Sequence, residues 1–194
     1  AMLASCFVLP GMTYSWWKST RSSRLFFACC AVKIATIAAF GTFSGIDTTS
    51  IKSGVGVFSG IAALGDKIYA APKGSRALLI YDTTTGALSS VDTKVNTNGV
   101  KPATHSQYVG IAALGNKVYC APFFAGAILV YDTTTGALSG VDTSSVDTSG
   151  GKWDGIVALG NKFYAAPNTA ESLLVYDTTT GALSGVDTSS VDTS

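Results

Sequence analysis

The stretch Tyr-Asp-Thr-Thr-Thr-Gly-Ala-Leu-Ser stands at residues 81–89, again at 131–139 and again at 176–184, letter for letter. A functional site written three times would bring one carboxylate per copy. A calcium ion takes about six to eight oxygen ligands, so one carboxylate falls well short. A turn needs only what the stretch contains. Asp82, Asp132 and Asp177 can accept hydrogen bonds from the backbone two residues on, and Gly86, Gly136 and Gly181 can take the left-handed conformation that closes a hairpin. The sequence therefore predicts three copies of a structural turn.

Working outward, each copy extends upstream by the same pattern. GIAALGDKIYAAP (60–72), GIAALGNKVYCAP (110–122) and GIVALGNKFYAAP (155–167) run into the three turns. The starts of these units lie 50 and then 45 residues apart, the spacing of four-stranded units stacked side by side. Strand a opens with Phe58, Tyr108 or Trp153 followed by Gly-Ile. Gly-Asp or Gly-Asn then suits a primed two-residue hairpin turn. Strand b stops at Pro72, Pro122 or Pro167, where the ladder loses a donor. Strand c is a continuous apolar run such as Leu173–Tyr176, fit for burial on both sides. Strand d is Ala-Leu-Ser-Gly-Val-Asp-Thr or its equivalent. The second half of Val-Asp-Thr-Ser-Ser-Val-Asp-Thr-Ser, at 141–149 and 186–194, reads as a polar linker.

The order Asn-Lys-apolar-Tyr, then Val-Tyr-Asp-Thr-Thr-Thr-Gly, resembles YVTN-type and kelch-like β-propeller repeats. It also looks like the repeats of multi-copy proteins of single-celled algae. The likeness covers 41–194 and implies an all-β fold of three complete four-stranded blades, at about 58–93, 108–143 and 153–188. Quinoprotein propellers carry a similar turn followed by a tryptophan that docks a quinone. Here Ala-Leu-Ser follows instead, and no cofactor and no metal are expected.

The phase of the repeat predicts one strand more. Gly41–Thr48 matches strand d, and Phe43 precedes Gly60 by 17 residues, as Leu138 precedes Gly155. An orphan strand at 41–48 would belong to an upstream blade, making the whole an incomplete propeller. Closed propellers use about four to eight blades. Three blades would leave open edges, covered either by self-association to about six blades or by further blades, and the orphan strand favours the second.

Residues 1–40 differ in kind. They carry Lys18, Arg21, Arg24 and Lys33 and no acid, leaving 9 basic residues against all 12 acids in 41–194. The run 25–43 is apolar apart from Lys33. Its eight Leu, Ile, Val and Phe contribute about −4 kcal/mol to insertion, and the lysine returns about +3 kcal/mol. The segment reads as a helical signal or anchor, as a cap over a blade edge, or as a stretch foreign to the repeat. The first reading puts the protein at a membrane or in a secretory lumen. The net charge of +1 gives no basic surface for nucleic acid.

Function is sought where the copies differ. They diverge after the proline (Lys73–Ala77, Phe123–Ala127, Asn168–Ser172) and in the d–a connections, Lys94–Val109 and Ser144–Asp154. Antiparallel strands put the b–c and d–a connections on one end of the blades and the invariant turns on the other. Loops on a rigid scaffold are where recognition sits. The candidate binding residues are Lys73, Arg76, His105, Tyr108, Phe123, Phe124, Trp153, Asn168 and Glu171. The two phenylalanines either anchor a partner or pack over the blade edge. His105 and Glu171 are the chain's one histidine and one glutamate, and no nucleophile–base pair or carboxylate pair accompanies them. Cys120 replaces an alanine of the sister copies and reads as a small buried thiol. The expectation is a non-catalytic platform with no catalytic residues, binding a protein or a membrane complex. The alternatives are a larger propeller hydrolase or lyase whose catalytic blades lie elsewhere, and a structural accessory subunit of a membrane assembly.

Overall fold

A computed structural model describes residues 44–51, 57–93 and 107–191. The chain divides into units 1–44 and 45–194, and all described residues except Ser44 belong to the second. Its strands form three antiparallel four-stranded sheets, each a meander in chain order. The first holds β1 (Ser59–Leu64), β2 (Lys67–Ala71), β3 (Ala77–Asp82) and β4 (Leu88–Asp92). The second holds β5 (Tyr108–Leu114), β6 (Lys117–Pro122), β7 (Ala127–Asp132) and β8 (Leu138–Asp142). The third holds β9 (Trp153–Leu159), β10 (Lys162–Pro167), β11 (Ser172–Asp177) and β12 (Leu183–Asp187).

The sheets stack through their first strands, with β1 beside β5 and β5 beside β9. Glycine makes that approach possible. A Cβ on Gly60 would stand 2.8 Å from the Val109 carbonyl oxygen, and one on Gly110 would stand 2.8 Å from both Asp154 O and Ile156 N. Two apolar layers fill the joints. Tyr69, Leu78 and Ile80 of the first sheet meet Ile111, Val118 and Leu129 of the second. Ala112, Tyr119 and Ile128 of the second meet Trp153, Phe163 and Leu174 of the third. Cys120 is buried in the first layer at 1 % exposure, and the apolar surroundings push its thiol pKa up.

Each Asp-Thr-Thr-Thr-Gly is a turn. Asp132 Oδ1 accepts the backbone N–H groups of Thr134 (2.9 Å) and Thr135 (3.1 Å), and Gly136 has φ +72°. Thr133 donates its N–H and its hydroxyl to the Asn116 carbonyl, tying this turn to the Gly-Asn turn before strand b. The other two copies repeat the arrangement around Asp82 and Asp177. Lys67, Lys117 and Lys162 lie 3.7–3.8 Å from these carboxylates, where solvent leaves an ion pair little energy.

These bonds hold all three carboxyls below their ordinary value of 3.8. The first cause is the Thr84 hydroxyl at Asp82, the Thr135 N–H at Asp132 and the Thr179 N–H at Asp177. A carboxyl depressed in the folded state stabilises it above the unfolded pKa, and that stabilisation is lost as pH falls through the folded pKa. The triple change Asp82→Asn, Asp132→Asn, Asp177→Asn should lower the melting temperature at pH 7. The gap from wild type should narrow as the pH is taken from 4 towards 2, with the contribution of Asp82, whose carboxyl is held well below the usual range, the last to go. Melting curves across that range test this, and a gap independent of pH would refute it.

Two sequence expectations meet the structure only in part. The orphan strand expected at 41–48 reaches into the described residues at 44–48 alone, and no strand is present at those residues. A strand d needs a strand c beside it, and the described residues offer none. The turn that follows strand d is present nonetheless. Thr49 N–H donates to Asp47 Oδ1 (2.9 Å), as Ser144 does to Asp142 (2.9 Å) and Ser189 to Asp187 (2.8 Å). The polar stretch 144–149 is no free linker either. Val146 N–H and Asp147 N–H both donate to the carbonyl of Thr143, whose side chain is fully buried, and Val146 packs on the second apolar layer. Residues 1–40, with the signal, anchor and cap readings, lie outside the described residues.

Candidate functional site

The b–c loops are built alike from different residues. In each, a small buried residue pins the middle, Ser75, Ala125 or Ala170. The residues just before and after it, Gly74 and Arg76, Phe124 and Gly126, Thr169 and Glu171, are exposed. The loops are stitched to the segments entering strand a. Asn168 N–H donates to Lys152 O (2.7 Å), Lys152 N–H to Phe123 O (3.0 Å), Phe123 N–H to Gln107 O (2.9 Å) and Gln107 N–H to Lys73 O (3.1 Å). A string of backbone bonds thus runs across all three sheets and places the b–c loops and the entries to strand a on one end. The invariant turns, bonded to one another, lie at the other end of the strands.

Of the nine candidate residues, two are not on a surface. Tyr108 is 5 % exposed and Trp153 fully buried, and both sit in the layers between sheets. Trp153 Nε1 donates to the Ser172 carbonyl at 2.9 Å, so its polar edge is used as well. As the first residues of β5 and β9 they lie against the neighbouring sheet, which removes them from any binding surface. His105 lies outside the described residues. Arg76, Phe124, Asn168 and Glu171 are exposed, while Lys73 and Phe123 are half-buried.

The second and third loops come together. Phe124 is 47 % exposed and meets Phe123 edge to face, with ring centroids 4.9 Å apart at 84°. Its ring lies over Gly150, where a Cβ would fall 2.8 Å from Cε1. The Thr169 hydroxyl donates to the Gly150 carbonyl at 2.7 Å, joining the third loop to the same spot. Next to it, residues 145–149, 169–172 and 183–189 enclose a groove of about 680 Å³. Its walls carry three carboxylates, Asp147, Glu171 and Asp187, among serines and threonine. Among the described residues, no group of three or more His, Cys, Asp or Glu is placed to hold a metal.

Lys152, joined to the groove wall at Ser149, is 2 % exposed. Its ammonium donates to Ala125 O (2.8 Å) and Ser149 O (3.1 Å) and lies 5.8 Å from the Trp153 ring centroid. Burial pulls its pKa below the ordinary 10.5, against the pull of Asp147. Lys152 holds the second b–c loop to the d–a connection. Its role was not legible in the sequence because Val57 and Gln107, its counterparts, give no hint of a buried cation. The groove has no signature in the sequence, because the residues of one wall, 145–149, read there as a linker.

The architecture is β-propeller-like. Among solved structures, an extracellular domain of B. thetaiotaomicron assigned to a one-component system matches with TM-score 0.50 and 16 % identity, over 66 % of this chain and 16 % of that one. The WD40 repeats of RRP9 match with TM-score 0.45 and 12 % identity, over 66 % and 38 %. Glutaminyl cyclase of Myxococcus xanthus matches with TM-score 0.43 and 13 % identity, over 69 % and 53 %. No family model and no curated protein matches this chain. At 16 % identity the first of these shows a fold alone, and the chain spans under two thirds of each of these structures.

Proposed function

We propose that the protein is a non-catalytic interaction platform that binds a protein partner through the b–c and d–a end of its sheets. The observation that carries this reading is Phe124, a large apolar side chain held half in solvent by Phe123 and Gly150 on a rigid frame. Aromatic anchors of this kind supply a large share of binding energy at interfaces. The adjoining carboxylates of Asp147, Glu171 and Asp187 suit Lys or Arg side chains of the partner, and Asn168 adds an amide at the rim. Arg76 and Lys73 give the first sheet the opposite charge, so the surface has a direction. The basic-then-apolar run 18–43 supports a site of action at a membrane or in a secretory lumen.

The test is capture from extracts of the source cell with wild-type protein, Phe124→Ala, Glu171→Gln and Thr84→Ala, the last being on the opposite end. Phe124→Ala should weaken the complex at least ~10-fold. Glu171→Gln should weaken it less and flatten its salt dependence, and Thr84→Ala should leave it unchanged. A partner held equally by Phe124→Ala and wild type would overturn the reading.

A further inference from the structure

The two outer sheets present apolar faces that the inner joints bury. Ile111 of the second sheet is 7 % exposed because the first sheet covers it, whereas its counterpart Ile61 in the first sheet is 72 % exposed. On the other side, Ala112 is 9 % exposed beneath the third sheet, and its counterpart Val157 is 58 % exposed. Leu159, Val186 and Val191 are likewise 71, 52 and 82 % exposed, while Leu114, Val141 and Val146, at the equivalent places one sheet earlier, pack into a joint. Scattered apolar side chains on a surface need no explanation, but a contiguous set that repeats a buried one does.

Three further features of the joints point the same way. Gly60 and Gly110 admit the backbone of the next sheet at 2.8 Å, while nothing lies within 4 Å of a Cβ on Gly155. A tyrosine of strand b meets a tyrosine of the next strand c at both joints, Tyr69 with Tyr131 (6.2 Å) and Tyr119 with Tyr176 (6.4 Å). The same rule pairs Tyr164 with Tyr81. The string of backbone bonds passes from Gln107 to Lys73 and from Lys152 to Phe123, and the same rule brings the Val57 N–H to the Asn168 carbonyl. The last sheet thus carries one half of a joint, and the first sheet carries the other half.

We propose that the open face of the third sheet receives the open face of the first sheet of a second copy of this chain, head to tail. Two such joints close two chains into a ring of six sheets, inside the range of about four to eight that closed propellers use. The contact is heterologous, and the ring is what stops it growing into a filament. Residues 44–48 form no strand beside the first sheet, so among the described residues that face is open. Residues 46–51 of the incoming copy repeat the 186–191 stretch, so one of the two is seated at each joint. The 186–191 stretch, whose first two residues end β12, keeps the place.

Light scattering coupled to size exclusion, over a wide concentration range, tests the proposal with the 194-residue chain. Wild type should reach twice the 19.9 kDa of one chain. Val157→Asp and Ile61→Asp each put a carboxylate into both joints and should weaken pairing at least ~100-fold. Both sites are mostly solvated in the single chain, so far-UV circular dichroism should be unchanged. A one-to-one mixture of the two variants should recover a dimer, because one joint between unaltered faces remains. Any of four results overturns the proposal: a wild-type monomer at every concentration, open polymers, dimers of either variant alone, or a mixture that stays monomeric. The first would leave these faces to residues 1–43 or to further sheets.

Discussion

Trp153→Ala is expected to destabilise the protein by about 3–5 kcal/mol, the range for deleting a buried tryptophan. The side chain is fully buried, in the layer shared by the second and third sheets. Its removal opens a cavity walled by strands of two sheets, so neither sheet can collapse into it alone. The Ser172 carbonyl also loses its donor at 2.9 Å. Trp153→Phe separates the two effects, because most of the apolar body stays and only the hydrogen bond goes. It should cost about 1–3 kcal/mol, the penalty for a buried polar group left without a partner. Urea unfolding followed by far-UV circular dichroism gives both numbers. A loss below 1 kcal/mol for the alanine variant would mean that the joint is not packed as described.

Gly110→Ala and Gly155→Ala are the same substitution at the same place in two repeats, and they should differ in sign. At Gly110 a Cβ would come within 2.8–3.0 Å of the backbone of residues 154–156, which cannot rotate out of the way. Overpacking of this kind costs about 1–3 kcal/mol, through separation of β5 from β9. At Gly155 nothing lies within 4 Å. There alanine costs nothing in the folded single chain and restricts the unfolded one, which stabilises by about 0.4–1 kcal/mol. Thermal unfolding at concentrations where the chain is single measures the difference. Equal effects at both sites would show that the glycines serve their own strands and not the spacing between sheets. At high concentration the head-to-tail joint predicts a second consequence, since Gly155→Ala should then weaken pairing.

The strands and turns were legible because their causes are local. Gly65, Gly115 and Gly160 have φ of 58–60° where the Gly-Asp and Gly-Asn pairs predict primed turns. The Asp of each Asp-Thr-Thr-Thr-Gly caps its own next residues, whatever surrounds it. Cys120 was legible by comparison, since alanine in both sister copies leaves little room for anything but a buried position. The candidate site was legible only in outline. Its end of the sheets follows from antiparallel order, and Phe124 and Glu171 follow from variation among the loops. The pin residues Ser75, Ala125 and Ala170, the buried Lys152 and the groove around Asp147 were not. Each depends on a partner well outside its own turn, as in the bonds from Ser75 N–H to Val57 O and from Lys152 to Ala125 O.

Alone, the sequence determined three four-stranded units and their turns, because hydrogen bonds within a few residues and the period of apolar side chains carry that information. Which side chains face solvent was decided by the tertiary structure. Tyr108 and Trp153 stand at the variable end in sequence and are buried by a neighbouring sheet. Residues 44–48 repeat a strand in letters and form none among the described residues, because a strand needs a partner and a turn does not. Ile61 and Ile111 occupy the same place in near-identical repeats, yet one is exposed and the other covered. Burial is a property of what lies across the joint, and that is not written in the residue that is buried.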